Sequence, residues 1–193
     1  MRDFFKRLQE VHNPPELQKP EQEEFPPEYP QLRKQYMHFC QSRDRSEEEI
    51  VRDLHELMHM PEIAAIGFVQ REGGLECLLG TIDVVITNPA TGQMHDIGEF
   101  IVRVNRGGHN ILFENITRGI PYFENSVQKG QYHHPHIPYS MQICMPTGKQ
   151  MLQEYVSKGM IYDAARMIVR ALWTLDSVPY SSASIEKWPL KEE

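Results

Sequence analysis

Beyond Pro61 the apolar residues stop recurring at helical spacing and begin to run as extended stretches, and this change of period constrains the fold more than anything else in the chain. Residues 63–70 form one stretch and residues 75–87 a second, bent at Gly80. Residues 98–105 place Phe100, Val102 and Val104 on one face, and residues 111–117 come next. The breaks between them are Glu72-Gly73-Gly74, Asn88-Pro89 with Gly92-Gln93, and Arg106-Gly107-Gly108. Connections this short join antiparallel neighbours, because a parallel crossover needs a dozen or more residues. The pattern predicts a four-stranded antiparallel meander, and nothing in it favours a parallel sheet.

Helices flank the meander. Ser46 stands three residues before Glu49, the capping-box spacing, and Glu47 and Glu48 suit the positive end of a helix dipole. Ile50, Leu54 and Leu57 make one apolar stripe, and Pro61 ends it. On the far side, Met151, Leu152 and Tyr155 predict a helical turn or more. Gly159 then precedes a strong helix whose stripe is Ile161, Ala164, Ala165, Ile168, Val169 and Leu172. Residues 119–131 show no clear period, and a short tail holds Pro179, Trp188 and Pro189. The expected class is α+β, and 193 residues suffice for one good core.

Residues 1–45 differ in kind. Pro14, Pro15, Pro20, Pro26, Pro27 and Pro30 lie among Glu16, Glu21, Glu23, Glu24 and Glu28, a composition that buries little and breaks helices and strands. Phe4, Leu8 and Val11 ahead of them fall at helical spacing. The reading is a proline-rich acidic arm over residues 1–45, packed on its own domain or docking a partner, and a folded domain over residues 46–193.

Charge and cysteine usage narrow the class. A net charge of −7 argues against nucleic acid and against an anionic membrane surface as partners. The longest apolar run, residues 63–69, is far too short to span a bilayer, and the start of the chain has no apolar signal core. Three widely spaced cysteines, Cys40, Cys77 and Cys144, read as reduced thiols in a cytoplasm. Cys77 lies in a strand pattern and reads as core, while Cys40 is ambiguous.

Residues 133–145, H-H-P-H-I-P-Y-S-M-Q-I-C-M, carry the chemistry. A proline-stiffened histidine turn stands ahead of Cys144, the strongest ready-made nucleophile among the side chains, with Ile143 and Met145 on either side. His133, His134 and His136 also admit a metal reading with Cys144 as fourth ligand. Against it, adjacent histidines on an extended turn point apart, and no HExxH or CxxC spacing occurs. His55 and His59, four apart on the first helix, lack a third ligand nearby and read as surface residues. No metal and no cofactor is expected.

Helix, meander, His-Pro segment, cysteine and helix, in that order, resemble the ubiquitin-conjugating enzymes over roughly residues 46–182. The matching string is His134-Pro135-His136-Ile137, then residues 138–142, then Ile143-Cys144-Met145, with the family's spacing from histidine to cysteine. Two departures stand out: His136 occupies the place of the family's asparagine, and little chain remains for the extra C-terminal helices of eukaryotic members. Both are similar to the compact bacterial relatives found in ubiquitin-like conjugation operons, several of them antiviral.

The resemblance implies a ubiquitin-conjugating fold and a transferase that needs no cofactor. Its implied partners are an activating enzyme, a ubiquitin-like protein carried as a thioester on Cys144, and an acceptor protein. It implies that His134 fixes the turn through backbone hydrogen bonds. It also implies that His136 donates to the oxyanion formed when an amine attacks, and that Ser181 or Ser182 faces that amine. Two rival readings stand beside it: a non-catalytic module of the same fold that binds a ubiquitin-like protein, and a metal-dependent hydrolase using His133, His134 and His136.

Overall fold

The computed structural model describes residue 27 and residues 29–41, 45–138, 140–142, 148–175 and 184–192. The chain divides into two compact units, Met1–Pro30 and Gln31–Glu193. Most of the first unit, including Phe4, Leu8, Val11 and the prolines up to Pro26, lies outside the described residues. The second unit holds the fold.

The protein is α+β. Helices α1 (Tyr29–Cys40) and α2 (Glu47–Met58) lead into eight strands: β1 (Ile63–Arg71), β2 (Gly74–Thr81), β3 (Val84–Thr87), β4 (Met94–Gly98), β5 (Phe100–Asn105), β6 (Ile111–Asn115), β7 (Ile120–Glu124) and β8 (Val127–Tyr132). Helices α3 (Lys149–Ser157) and α4 (Ile161–Trp173) come after them, with a short 3-10 turn at Ile185–Lys187. Among the described residues no helix is long and apolar enough to cross a membrane.

The main sheet has four antiparallel strands in the order β1-β2-β5-β6. It is not the simple meander the sequence predicts. The second predicted strand ends at Thr81, whose hydroxyl accepts from the Phe100 N–H at 3.0 Å and so closes the ladder with a side chain. Ile82 N–H turns instead to the Glu62 carbonyl. Val84–Thr87 then leaves to pair with Met94–Gly98 as a separate hairpin inserted between β2 and β5. Gly80 remains in the strand, paired with Ala65 and Ile101, and the ladder shifts register beside it, between Ile63 and Ala65. The tail docks on that hairpin, with Asp96 N–H donating to the Pro189 carbonyl and Lys191 N–H to the Met94 carbonyl. Trp188 is buried beside them.

Residues 119–131, which lack a readable period, form the third sheet, hairpin β7–β8. Asn125 and Ser126 both take positive φ, 49° and 63°, the conformation a two-residue hairpin turn demands.

The core lies between the helices and the inner face of the sheet. Cys77 and Leu79 of β2, Phe100, Val102 and Val104 of β5, and Phe113 of β6 alternate inward. Ile50, Leu54 and Leu57 of α2 and Ile161, Ala164, Ala165, Ile168 and Leu172 of α4 meet them. Helix α3 buries Leu152 and Val156, whereas Met151 is exposed. Helix α1, which composition groups with the arm, buries Tyr36, Phe39 and Cys40, and both aromatic rings pack on Phe68.

Three helices converge on one buried carboxylate. Ser46 and Glu49 close the capping box of α2, and one turn further on Asp53 points inward, 6% exposed. Asp53 Oδ2 accepts from the Tyr36 hydroxyl of α1 and, at 3.2 Å, from Tyr162 N–H at the start of α4. Its Oδ1 faces the Arg45 guanidinium at 3.3 Å, which also donates to the Gly159 carbonyl. The residue preceding α4 supplies no side-chain cap, so Asp53 caps that helix from another one. Gly159 is required by contact as well as by its φ of 70°, since a Cβ there would meet the Cys40 carbonyl oxygen at 2.5 Å. Burial and the nearby Asp53 hold the Tyr36 phenol well above its usual range.

Removing one member of a buried, hydrogen-bonded ion pair costs about 3–5 kcal/mol. Asp53→Ala is expected to lower stability by about that much, read as a fall in the urea midpoint, with Asp53→Asn costing less.

Candidate active site

The described part of the His-Pro segment is a buried turn. Tyr132, His133, His134, His136 and Ile137 are all less than a tenth exposed, and His134 is fully buried. Ile137 N–H donates to the His134 carbonyl at 2.9 Å, and the N–H groups of His133 and His134 donate back to the Ile137 carbonyl. Pro135 at the bend presets φ and has no N–H to satisfy.

His134 holds this turn from inside. Its Nδ1 accepts from the His136 N–H at 3.1 Å, which leaves the proton on Nε2. Nε2–H donates to the Leu172 carbonyl at 3.0 Å, one of the last carbonyls of α4, which no intrahelical N–H can reach. The ring also meets Phe100 edge-on at 6.1 Å. Burial, with His136 nearby, pushes the His134 pKa down to about 3, the Leu172 bond partly opposing. The neutral ring is therefore a brace between the turn and α4.

His136 is buried next to it, the two rings 5.8 Å apart. Its backbone N–H is committed to His134. Cys144 and Ser181, together with Ser182, lie outside the described residues, so the structure brings together His133, His134 and His136 but leaves the nucleophile and the amine-facing serine undescribed.

His133, for which the sequence suggests only a place in a metal cluster, is joined to the end of β6. Its Nδ1 accepts from the Asn115 N–H at 2.9 Å, and its carbonyl accepts from Asn115 Nδ2 at 2.9 Å. Burial lowers the His133 pKa, with Glu114 acting the other way. A metal reading would need ring nitrogens that already serve protein groups: both of His134 and Nδ1 of His133. Among the described residues no group of three or more histidines, cysteines or carboxylates is placed to hold a metal ion.

Asn115 is the functional candidate that motif and spacing do not single out. It is 2% exposed and sits on the inward face in the alternation Ile111, Phe113, Asn115. An amide on an otherwise apolar face must find partners, and that is the signal the sequence offers. Further along, Phe113 N–H donates to the Met141 carbonyl at 2.8 Å, and Met141 N–H to the Pro138 carbonyl at 2.9 Å. Met141 holds φ at 59°, a left-handed conformation costly for a non-glycine residue.

Open grooves of about 780 and 530 Å³ run between α2 and α4 and share Glu56, Tyr162 and Arg166, but no residue of 132–142 lines either. Burial pushes the Cys40 thiol up to about 12 and holds Cys77 well above the usual thiol range, so neither is suited to attack. The chain matches no protein-family model, no curated protein and no solved structure.

The His134 brace is testable through stability. Replacement by Ala strands the His136 N–H and the Leu172 carbonyl and is expected to cost about 2–4 kcal/mol in urea unfolding at pH 7. Its folded pKa is depressed to about 3. Its contribution is therefore complete above the unfolded value, about 6.5, and drains away as pH falls towards 3. Stability is expected to drop by about 1.4 kcal/mol per pH unit in that window from this one proton, a slope that His134→Gln removes.

Proposed function

We propose that this chain accepts a ubiquitin-like protein from an activating enzyme as a thioester on Cys144 and passes it to an amine of an acceptor protein. The observation that carries the reading is the string His134-Pro135-His136-Ile137 followed at the family's spacing by Cys144. What supports it is the setting: the string forms a buried turn after an antiparallel sheet, with helices on either side. A ubiquitin-conjugating fold of the compact bacterial kind is the architecture we propose for it, and a cytoplasmic conjugation pathway, in bacteria and of the antiviral type, is the corresponding setting. Both described cysteines are buried and hard to ionise, which leaves Cys144 as the thiol for the chemistry.

In the first step the Cys144 sulfur attacks the thioester carbonyl, the activating enzyme's sulfur leaves, and the thiol proton goes with it. A thiol with a pKa of about 8.5 supplies enough thiolate near neutrality for this exchange. In the second step an amine attacks, an oxyanion develops, and collapse expels the Cys144 thiolate, which takes up the proton the amine nitrogen loses. His136 is the proposed donor to that oxyanion, Ser181 the residue facing the amine, and His134 the brace that keeps the turn in shape.

Incubation with activating enzyme, ATP and the cognate ubiquitin-like protein is expected to give an adduct that thiol reductant cleaves and Cys144→Ala abolishes. An adduct that survives in Cys144→Ala sinks the assignment. His136→Ala is expected to slow discharge to amines by up to about 10²–10³ while loading changes little. Equal slowing of both steps points to collapse of the turn instead.

A further inference from the structure

Strand β6 is an edge of the main sheet, and its outward N–H groups need acceptors. Among the described residues no ninth strand supplies them. Phe113 N–H takes the Met141 carbonyl, and Asn115 N–H, two residues on, takes the imidazole of His133. Residues 133 and 141 are therefore each stapled to the sheet edge, and His134, next to the first staple, is fastened to α4.

The first staple is reciprocal. Asn115 gives its backbone N–H to the His133 ring and its side-chain Nδ2 to the His133 carbonyl. The same Nδ2 reaches the Ile97 carbonyl at 2.6 Å, while Oδ1 accepts from Thr117 N–H at 3.1 Å and Arg118 N–H at 2.6 Å. Gln131 Nε2 donates to the Asn115 carbonyl at 3.0 Å. One buried residue thus holds the ring of His133 through its backbone N–H and the backbone of His133 through its side chain. Cys144 comes three residues after the second staple, Met141.

We infer that Asn115, acting through His133, is a positioning residue for the segment 133–141, which precedes Cys144 in sequence. It is placed to touch no substrate; it sets where that segment starts, as the Phe113–Met141 bond sets where it ends. The inference rests on the thioester reading for its rate effect alone, since the clamp itself is a matter of geometry. The acceptor on His133 matters, not the imidazole as such. An asparagine there would place Oδ1 where Nδ1 now lies and keep the bond, whereas leucine would fill the space without one.

The test uses the full chain and a peptide thioester ending in Gly-Gly with mercaptoethanesulfonate as leaving group. Cys144 sulfur bonds to the acyl carbon, the carbon–sulfur bond of the probe breaks, and the released thiolate takes the Cys144 proton. Mass spectrometry tracks acylation of Cys144 against probe concentration. Asn115→Ala and His133→Leu are expected to lower the maximal rate about 10- to 100-fold with little change in the half-saturating concentration, while His133→Asn stays within about threefold of the parent. Parent-like maximal rates in both Asn115→Ala and His133→Leu overturn the inference, and so does a His133→Asn as slow as His133→Leu.

A second measurement needs no variant to fold. Nitrogen NMR of the parent at neutral pH is expected to show His133 Nδ1 unprotonated and coupled across a hydrogen bond to the Asn115 amide. A proton on Nδ1, or no coupling, overturns the clamp. If the parent's Cys144 is not acylated, the thioester reading fails, and the NMR result still decides the clamp.

Discussion

Helix α4 is held at both ends by side chains from elsewhere in the chain, and the placement of everything near the His-Pro turn depends on it. At its start, Asp53 receives the Tyr162 N–H. At its finish, His134 Nε2–H reaches the Leu172 carbonyl. Thirteen residues of helix rise about 20 Å, so a carboxylate beneath α1 and α2 and an imidazole under the sheet edge are joined by one stiff element. Both contacts answer the same need: helix ends leave donors and acceptors that burial makes expensive to ignore.

The two anchors differ in kind. Asp53 is an ion-pair partner shared by Arg45, Tyr36 and a backbone N–H, and its burial is tolerable because all three meet it. His134 carries no charge and works through a fixed tautomer, accepting on one nitrogen and donating on the other. The first organises helices around a core, and the second transmits that organisation to a loop. Asn115 adds a third fixture from the sheet side, so the described loop hangs from β6 and α4 at once.

Much of this was legible in the residues where the signal is local. Ser46 and Glu49 announce the start of α2, and alternation through Phe100, Val102 and Val104 announces β5, because capping and pleating are decided within a few residues. The hairpin of Ile120–Glu124 and Val127–Tyr132 was not legible, since its pairing rests on Asn125 and Ser126 turning at positive φ rather than on alternating hydrophobicity. The end of β2 at Thr81 was hidden for a similar reason: a threonine hydroxyl stands in for a backbone partner from across the sheet. At the site, the turn's stiffness could be read from Pro135. Which groups its histidines meet could not, because Asn115 and Leu172 lie 18 and 38 residues away in sequence.

That last separation bears on how the chain is made. The carbonyl that completes the His134 brace belongs to residue 172, and Trp188, docked on β4, comes later still. Synthesis proceeds from the N-terminus, so the thiol at position 144 emerges well before the helix that steadies the loop ahead of it. Until α4 has left the ribosome and packed, the loop lacks its frame. The arrangement defers assembly of the loop until residue 172 has been translated, and a truncated product ending before it would carry the cysteine without the frame that holds the loop.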